Sequence, residues 1–347
     1  MSYRKIKAIG LSHELVDVLL QHKITTCKDI LALSNVELMN MTGLSYQHSK
    51  DVIQSASRSV SPNAQTAASL FNPIASKYPA YLSTSLSPLD CALRGGLRLS
   101  NLTELVGPPG SGKTQFCIML SILATLPNEM LGLDGSTIYI DTEASFTAER
   151  LVEMATCKFP EYFSNREHLS KLTQRVCVSV QLESRSLVNR QALLSLEEDI
   201  IKRNVKLIIV DSIASPVRKE FDRTSSTQRG QILSKQAAIL KRIAEAFSIP
   251  IIITNQITTS YNQRKNDSIN DEDVSNIQAD DSSTTAFEDH RPHIIAALGE
   301  TWAHNVNTRL FLEPIDDTRK KITIMKSPVA ATASLNYVIE SKGIVVI

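Results

Sequence analysis

The segment 107–114, with the sequence GPPGSGKT, constrains the fold of this chain more than any other feature. It follows the apolar stretch LTELV and opens a stretch with helical periodicity, so the sequence predicts a strand, a glycine-rich turn and a helix in succession. Glycines allow the backbone of such a turn to wrap a phosphate with its N–H groups. The segment therefore predicts a nucleotide site at the carboxyl end of a parallel strand, in an α/β protein.

Each residue type in this loop has a chemical role. Gly107, Gly110 and Gly112 bring the backbone close to the phosphates. Lys113 supplies positive charge to the β- and γ-phosphates, and the Thr114 hydroxyl binds Mg²⁺. ATP and Mg²⁺ are therefore the expected cofactors. The residues expected to contact the nucleotide are Gly107, Pro108, Pro109, Gly110, Ser111, Gly112, Lys113 and Thr114.

Three more polar residues stand at or just beyond the ends of apolar strands, where parallel strands meet at one edge of a sheet. Asp211 ends KLIIVD and suits a magnesium-binding carboxylate. Glu143 lies two residues past STIYID, in place to accept a proton from the attacking water. Gln256 follows IIITN and is placed to contact the γ-phosphate. An ordinary turn or capping role is the alternative for each of them.

Short β-branched stretches alternate with helical patterns from residue 101 onward. This alternation predicts a mostly parallel sheet flanked by helices, with antiparallel strands closing the C-terminal end. The helix predicted over 229–247 has an apolar stripe formed by Ile232, Ile239, Ile243 and Phe247.

Composition narrows the functional classes. The chain has 37 basic and 36 acidic residues and a formal net charge of +1, so any contact with DNA must be local or shared with partners. Five cysteines without CxxC spacing predict buried, reduced thiols. No stretch is long and apolar enough to predict a membrane span, and we expect a soluble intracellular protein.

The chain divides into predicted domains. Residues 1–57 predict a small all-helical N-terminal domain, with a capping box at Ser34. The turn at Gly43 between two helices has the outline of a helix-hairpin-helix, whose second helix offers N–H groups to a DNA phosphate. A protein-docking bundle is an equally supported alternative. Residues 58–80 are rich in Ser, Ala and Pro and predict a linker, followed by a large domain over 81–347.

The stretches GPPGSGKTQ, YIDTEASFTAERL, KLIIVDS and ITNQIT, with WAH at 302–304 and TRL at 308–310, resemble the RecA-like core of the eukaryotic strand-exchange recombinases. The N-terminal domain is similar to theirs too, so the resemblance covers nearly the whole chain. Within that family, the stretches VRKEF, FSIPIIITNQITT and AALGETWAHNVNTRL are closest to the B-type group of recombinase paralogs. The resemblance implies a RecA-type ATPase core in a mediator of homologous recombination and double-strand break repair.

The resemblance also implies roles for single residues. Glu143 would be the catalytic base, Asp211 the magnesium carboxylate, and Gln256 and His304 the sensors of the γ-phosphate. Gln115 would join the residues that bind the nucleotide. The implied partners are other recombinase paralogs in a hetero-oligomer and single-stranded or branched DNA, and the implied location is the nucleus.

The linker departs from the pattern of a strand-exchange enzyme. Recombinases of this family polymerise by inserting a Phe-x-x-Ala segment into the neighbouring core, and Ala64 stands here in place of the phenylalanine. Burying a phenylalanine contributes about 2–3 kcal/mol, so we expect poor self-polymerisation. Phe71 in another register is a less attractive substitute, because Pro73 follows it instead of an alanine.

Residues 261–293 correspond to a DNA-binding loop of the family, yet they carry eight acidic and three basic side chains, a net charge of −5. Such a stretch repels phosphates, and its composition predicts disorder. A solvated insertion with no role is the alternative.

Two single positions also depart from the family. Lys326 stands where strand-exchange enzymes carry an aspartate over a neighbour's ATP, and we expect it to contact that nucleotide across a subunit boundary. A surface lysine without a partner is the alternative. Ala144 replaces the glycine that follows the catalytic glutamate.

Three functions are compatible with these features. The first is a mediator with slow, DNA-stimulated ATP hydrolysis. The second is a nucleotide-gated scaffold that scarcely hydrolyses ATP. The third is an autonomous strand-exchange recombinase, which Ala64 and the acidic stretch disfavour.

Overall fold

The structure, a computed structural model, divides into two compact units formed by residues 1–77 and 78–347. The residues whose structure is described are 4–61, 66, 68, 80–179, 190–213, 226–259, 294–296 and 299–347. Most of the predicted linker 58–80 and the whole acidic stretch 261–293 lie outside these ranges. The prediction of poor self-polymerisation depends on Ala64, which also lies outside them.

The N-terminal unit is built from short, capped helices. The side chains of Ser12, Ser34 and Ser45 each accept a hydrogen bond from the backbone N–H three residues along, so serine N-caps begin three of the helices. Gly43 follows the third helix with φ 70°, a left-handed conformation that glycine adopts without strain. The helices are α1 (His13–Gln21), α2 (Cys27–Leu31), α3 (Asn35–Thr42) and α4 (Tyr46–Val60).

The apolar sides of these helices form one small core, and α3, Gly43 and α4 have the outline of the predicted hairpin. Helix α4 runs to Val60, three residues past its predicted end at Ser57, so the predicted linker starts too early. Helix α2 was not predicted because it is one turn long, although a capping box of Thr26 and Asp29 begins it. The core residues are Ile6, Val16, Leu19, Cys27, Ile30, Leu38, Val52 and Ala56.

The larger unit is built on a nine-stranded sheet. The strands of this unit are β1 (Tyr81–Leu82), β2 (Leu97–Arg98), β3 (Leu102–Val106), β4 (Ser136–Asp141), β5 (Val176–Ser179), β6 (Val205–Asp211), β7 (Ile251–Asn255), β8 (Ile257–Thr259), β9 (Ile294–Ala296), β10 (Thr308–Pro314), β11 (Lys320–Lys326), β12 (Ser334–Glu340) and β13 (Gly343–Val346). The order in the large sheet is β13-β12-β11-β10-β3-β7-β6-β4-β5.

The strand directions match the prediction from the sequence. The strands from β10 to β5 in this order run parallel, whereas β10, β11, β12 and β13 pair antiparallel at the C-terminal end. Strand β5 was not predicted, because its four residues VCVS are too few to show a period and it forms by pairing with β4. Two further pairs, β1 with β2 and β8 with β9, form separate two-stranded sheets.

Helices cover both faces of the large sheet. They are α5 (Ser87–Ala92), α6 (Lys113–Thr125), α7 (Ala148–Lys158), α8 (Pro160–Phe163), α9 (Arg166–Arg175), α10 (Arg190–Lys202), α11 (Ser226–Phe247) and α12 (Gly299–Asn305). Along β4, Tyr139 packs into the core that holds α6 and α7, whereas Ile138 and Ile140 pack into the core that holds α10, α11 and α12. Among the described residues, no helix is long and apolar enough to cross a membrane.

Helix α11 is present where it was predicted, and three residues of its predicted stripe, Ile239, Ile243 and Phe247, pack in or against the core. Only Ile243 of that stripe is buried, and the other three members are half-buried. The predicted stripe left out most of the buried face, including two alanines, because a pattern that weighs large side chains alone does not identify alanines as core residues. The fully packed residues are Leu233, Ala237, Leu240, Ile243 and Ala244.

All five cysteines are free thiols, as predicted. Their burial was predicted less well: Cys27 and Cys117 are buried, Cys177 is half-buried, and Cys91 and Cys157 are exposed. Burial raises the pKa of the Cys117 thiol well above its ordinary value, so this thiol stays protonated.

Candidate nucleotide site at the carboxyl edge of the sheet

The carboxyl ends of four neighbouring parallel strands lie side by side. Val106 of β3 is in register with Asn255 of β7, and Asp141 of β4 is in register with Asp211 of β6. Residues that end or follow these strands therefore meet at one edge of the sheet. The structure thus brings together the glycine-rich loop, Asp211 and the segments that follow β4 and β7.

The glycines of the loop occupy positions that other residues could not. A Cβ on Gly107 would overlap the carbonyl oxygen of Leu312, and one on Gly112 would lie 2.7 Å from Cδ1 of Ile339. Gly110 and Gly112 also have φ of 76° and 92°, in the left-handed region. The backbone can therefore form a tight phosphate cradle here.

The serine of the loop is a second feature that fits a phosphate. The Ser111 side chain is buried, and its Oγ has no hydrogen-bond partner within the part of the chain that the structure describes. The Tyr337 hydroxyl on β12 donates a hydrogen bond to the Ser111 carbonyl and holds the loop backbone. A buried hydroxyl without a partner in a glycine-rich turn suits an incoming acceptor such as a phosphate oxygen. Pro109 and Gly110 are exposed, whereas Pro108 is half-buried.

The Lys113 ammonium lies against the loop itself. Its Nζ donates hydrogen bonds of 2.9 Å to the carbonyl oxygens of Gly107 and Pro108. Burial lowers the pKa of this lysine, and the nearby carboxylates of Asp211 and Glu143 oppose that shift. A partly desolvated cation beside a phosphate cradle binds phosphate more strongly than an exposed one would.

Thr114 and Asp211, the two residues predicted to bind magnesium, are in direct contact. The Thr114 hydroxyl donates a hydrogen bond of 2.8 Å to Oδ2 of Asp211. In the described ranges, no group of three or more His, Cys, Asp or Glu side chains could hold a metal ion. One hydroxyl and one carboxylate suit Mg²⁺ in particular, because Mg²⁺ completes its shell with water and substrate phosphates.

Two residues that the sequence did not single out hold Asp211 in place. The Tyr139 hydroxyl donates to Oδ2 at 2.8 Å, and the Thr254 hydroxyl donates to Oδ1 at 2.5 Å. Burial is the main cause that raises the pKa of Tyr139 well above its ordinary value, so the hydroxyl remains a donor. Both carboxylate oxygens are therefore oriented before any metal arrives.

Glu143 and Gln256 are brought together as predicted. Oε1 of Glu143 accepts hydrogen bonds from the Gln256 amide at 3.1 Å and from the Ser212 hydroxyl at 2.7 Å. Ser212 follows Asp211 directly, so the end of β6 supplies both the carboxylate that contacts Thr114 and a hydrogen-bond donor to Glu143. The Gln256 amide and the Ser212 hydroxyl therefore donate to the same oxygen atom of Glu143.

The turn that carries Glu143 is fixed by Asp141. The Asp141 carboxylate is buried and accepts the backbone N–H groups of Glu143 at 3.1 Å and Phe146 at 2.8 Å. Inside this turn, Ala144 has φ 53°, in the left-handed region that strains any residue with a Cβ. This backbone conformation explains why glycine suits the position.

The remaining predicted residues lie in different surroundings. Oε1 of Gln115 accepts a hydrogen bond from Arg150 at 2.7 Å, which ties the start of α6 to α7. His304 is exposed in the last turn of α12. The Lys326 ammonium donates to the carbonyl oxygens of Ala303 and Val306, at 2.9 and 2.8 Å, and so caps the end of α12 within its own chain.

The sequence missed the residues that orient the site rather than bind the ligand. Tyr139 and Thr254 lie inside strands, where an aromatic or β-branched residue is ordinarily taken for core. Two other orienting residues, Ser212 after β6 and Asp141 at the end of β4, could have been found from the sequence. Both are polar residues at the carboxyl ends of apolar strands.

Comparisons with known proteins show which family both parts of the chain resemble. Residues 78–346 match the Rad51 family, and residues 6–60 match the XRCC3/RpoA-like helix-hairpin-helix domain. The chain is 46% identical over 349 residues to DNA repair protein RAD51 homolog 2 of Homo sapiens, which covers 99% of this chain and 89% of that protein. It is 47% identical to the Mus musculus protein of the same name, over 99% and 98% of the two chains. It is 29% identical to DNA repair and recombination protein RadA of Aeropyrum pernix, over 73% and 78%.

Proposed function

This chain belongs to the Rad51 family of DNA-dependent ATPases, and we propose that it acts as an ATP-dependent mediator of homologous recombination and DNA repair. One observation carries the proposal. The phosphate loop, the Thr114–Asp211 pair at 2.8 Å and the Glu143–Gln256 pair at 3.1 Å all lie at one edge of the sheet. Binding, metal coordination and proton acceptance therefore have residues in one place.

Nucleotide binding follows from the loop. The N–H groups of the glycine-rich turn and the Lys113 ammonium bind the phosphates, while the Thr114 hydroxyl and the Asp211 carboxylate hold Mg²⁺. When bound, Mg²⁺ neutralises negative charge on the β- and γ-phosphates. Lys113 would exchange its two bonds to loop carbonyls for bonds to phosphate oxygens.

Hydrolysis in this proposal depends on Glu143. Its carboxylate is oriented by Ser212 and Gln256, and it accepts the proton of the attacking water. Gln256 is the γ-phosphate sensor of the proposal, and His304 is a second one.

We propose that the chain works in a hetero-oligomer of recombinase paralogs, in the nucleus, on single-stranded or branched DNA. The names of the relatives, which are DNA repair proteins, support this setting. The match of residues 6–60 to a helix-hairpin-helix domain supports a DNA contact at the turn before α4. Lys326 reaches a neighbour's nucleotide in this proposal only by exchanging its bonds to the carbonyl oxygens of Ala303 and Val306 for bonds to phosphate.

A nucleotide-gated scaffold is the second candidate, and one observation favours it. Ala144 follows the proposed base directly and holds φ 53°, so the turn that positions Glu143 is strained. In this candidate the turn relaxes from the strained conformation, Glu143 leaves the placement that hydrolysis needs, and nucleotide binding at the phosphate loop is unaffected.

Multiple-turnover ATP hydrolysis, measured with and without single-stranded DNA, separates the two candidates. For the mediator we expect turnover that rises severalfold with DNA, and none with Lys113→Ala. The chain is measured alone and after co-purification with its natural partners. A rate equal to that of Lys113→Ala in every condition, with ATP binding intact in calorimetry, would show that the scaffold is the correct function.

A further inference from the structure

A buried carboxylate outside the nucleotide site connects four elements of the larger unit. Glu104, in the middle of β3, is completely buried. Its Oε1 accepts hydrogen bonds of 2.8 Å from the Asn255 amide and from the Trp302 indole, and its Oε2 accepts one of 2.7 Å from Nε of Arg309. These four residues, here named the Glu104 network, connect β3, β7, α12 and β10.

Stability alone does not account for this network. Apolar residues of similar volume are often as stabilising as a buried ion pair, because desolvation opposes the attraction between the charges. The network is also incompletely satisfied. Asn255 Oδ1 and Arg309 Nη2 are buried, and neither has a hydrogen-bond partner within the described part of the chain. Unsatisfied groups of this kind leave room for a second hydrogen-bond arrangement.

One end of the network lies at the nucleotide site. Asn255 immediately precedes Gln256, whose amide donates to Glu143. The carbonyl oxygen of Asn255 also accepts the backbone N–H of Gly107, the first residue of the phosphate loop, at 3.3 Å. Any movement of Gln256 toward a phosphate therefore acts on Asn255 first.

The other end of the network lies on α12. Trp302 is 1% exposed and stands two residues before His304 on that helix. The end of α12 is held in turn by Lys326, whose partner in the register of β10 and β11 is Arg309. Trp302 therefore lies on α12 itself, and Arg309 lies beside the lysine that caps this helix.

We propose that Glu104 is a positioning residue that transmits nucleotide binding at Gln256 to the placement of α12. Asn255 and Trp302 share Oε1 of Glu104, so a displacement of Asn255 changes the hydrogen bond that the indole makes. Helix α12, which carries His304, then changes its placement when nucleotide binds at the phosphate loop. The Glu104 network is the packed element with two arrangements that links the two changes. The inference rests on the proposed ATP site and assigns a role to a residue that does not touch the nucleotide.

The test uses Trp302 itself, because it is the only tryptophan in the sequence. The full-length protein is titrated with MgATP while the tryptophan emission is recorded, and ATP affinity is measured by calorimetry in parallel. We expect the emission to change and to saturate with the calorimetric Kd. Glu104→Gln keeps the shape but not the charge, and should leave Kd within about threefold while removing at least about half of the emission change.

Glu313→Gln is the matched control, because it removes the same charge from an ion pair with Lys321 on the surface of β10 and β11. It should keep the full response. Arg309→Lys keeps the positive charge beside Glu104, so this variant should retain most of the emission change. If Glu104→Gln does not fold, as judged by circular dichroism, Asn255→Ser takes its place and must also lose the response.

The outcomes are distinct. A folded Glu104→Gln protein with a full emission change, or ATP binding to the unsubstituted protein without any emission change, would overturn the role of Glu104 and leave the proposed function standing. Absence of ATP binding in calorimetry would overturn both proposals.

Discussion

The hydroxyl of Tyr139 donates a hydrogen bond of 2.8 Å to Oδ2 of Asp211, from a side chain that is completely buried between the sheet and α6. Thr114 donates to the same oxygen. The orientation of the Asp211 carboxylate, the proposed magnesium ligand, thus depends on a strand residue, Tyr139 of β4, that is not itself a proposed ligand.

Tyr139→Phe should weaken Mg²⁺ binding at the nucleotide site. The protein should stay folded, because the ring and its packing remain. Loss of an outer partner commonly costs tenfold or more in metal affinity, so the Mg²⁺ concentration for half-maximal ATP binding should rise about tenfold. Calorimetric ATP titrations at a series of Mg²⁺ concentrations measure it. Tyr162→Phe on α8 is the control, and an equal Mg²⁺ midpoint in both variants would contradict the role of Tyr139.

Lys113→Ala should abolish tight MgATP binding while the chain stays folded. The ammonium makes its hydrogen bonds to loop carbonyls and supplies charge to the phosphates, and it contributes nothing to the core. Calorimetry measures the affinity and circular dichroism the fold. Lys171→Ala, at an exposed position of α9, is the matched control. Unchanged affinity in Lys113→Ala would remove the basis for the site.

Glu143→Gln should still bind ATP but should hydrolyse it about a hundredfold more slowly or worse, the usual scale for loss of a general base. The amide keeps a hydrogen-bond acceptor for Ser212, so the turn should be preserved. Single-turnover hydrolysis with saturating enzyme measures the chemical step. Should the two proteins react at equal rates, Glu143 is not the base.

Ala144→Gly should stabilise the larger unit. A left-handed conformation costs a residue with a Cβ about 1 kcal/mol, and the greater unfolded-state entropy of glycine offsets about half of that. The expected gain is therefore about 0.5 kcal/mol, seen as a higher denaturant midpoint at constant m-value. Ala246→Gly, at an exposed helical position of α11, should instead destabilise. A lower midpoint for Ala144→Gly would show that the turn is not strained.

The acidic stretch gives a prediction from the sequence alone. Replacing residues 264–289 with a short Gly/Ser segment removes eight acidic and two basic side chains, so the net charge of 261–293 changes from −5 to +1. ATP binding should persist, and single-stranded DNA affinity should rise with a steeper salt dependence.

A second variant separates charge from length in that stretch. It keeps every residue position and changes only the acids to amides, at Asp267, Asp271, Glu272, Asp273, Asp280, Asp281, Glu288 and Asp289. This variant should also raise the affinity for single-stranded DNA, as the deletion should. A fall in affinity in the deletion alone would identify Arg264 or Lys265 as a DNA contact, and the repulsion hypothesis would be withdrawn.

The sequence by itself determined the phosphate loop, the parallel sheet and the residues at the strand ends. These features are local: the loop chemistry is contained in eight consecutive residues, and a strand shows its own period. Because parallel strands must end at a common edge, the convergence of Asp211, Glu143 and Gln256 followed without knowledge of the strand order.

Only the tertiary structure decided which side chains hold that site in place. Tyr139 reaches Asp211 across 72 positions of sequence, and Arg309 reaches Glu104 across 205. Such contacts depend on the order of strands in the sheet and on which face each helix packs against, and no local pattern contains that order. The full buried face of α11 was not predicted for the same reason, because small and large side chains pack against the sheet together.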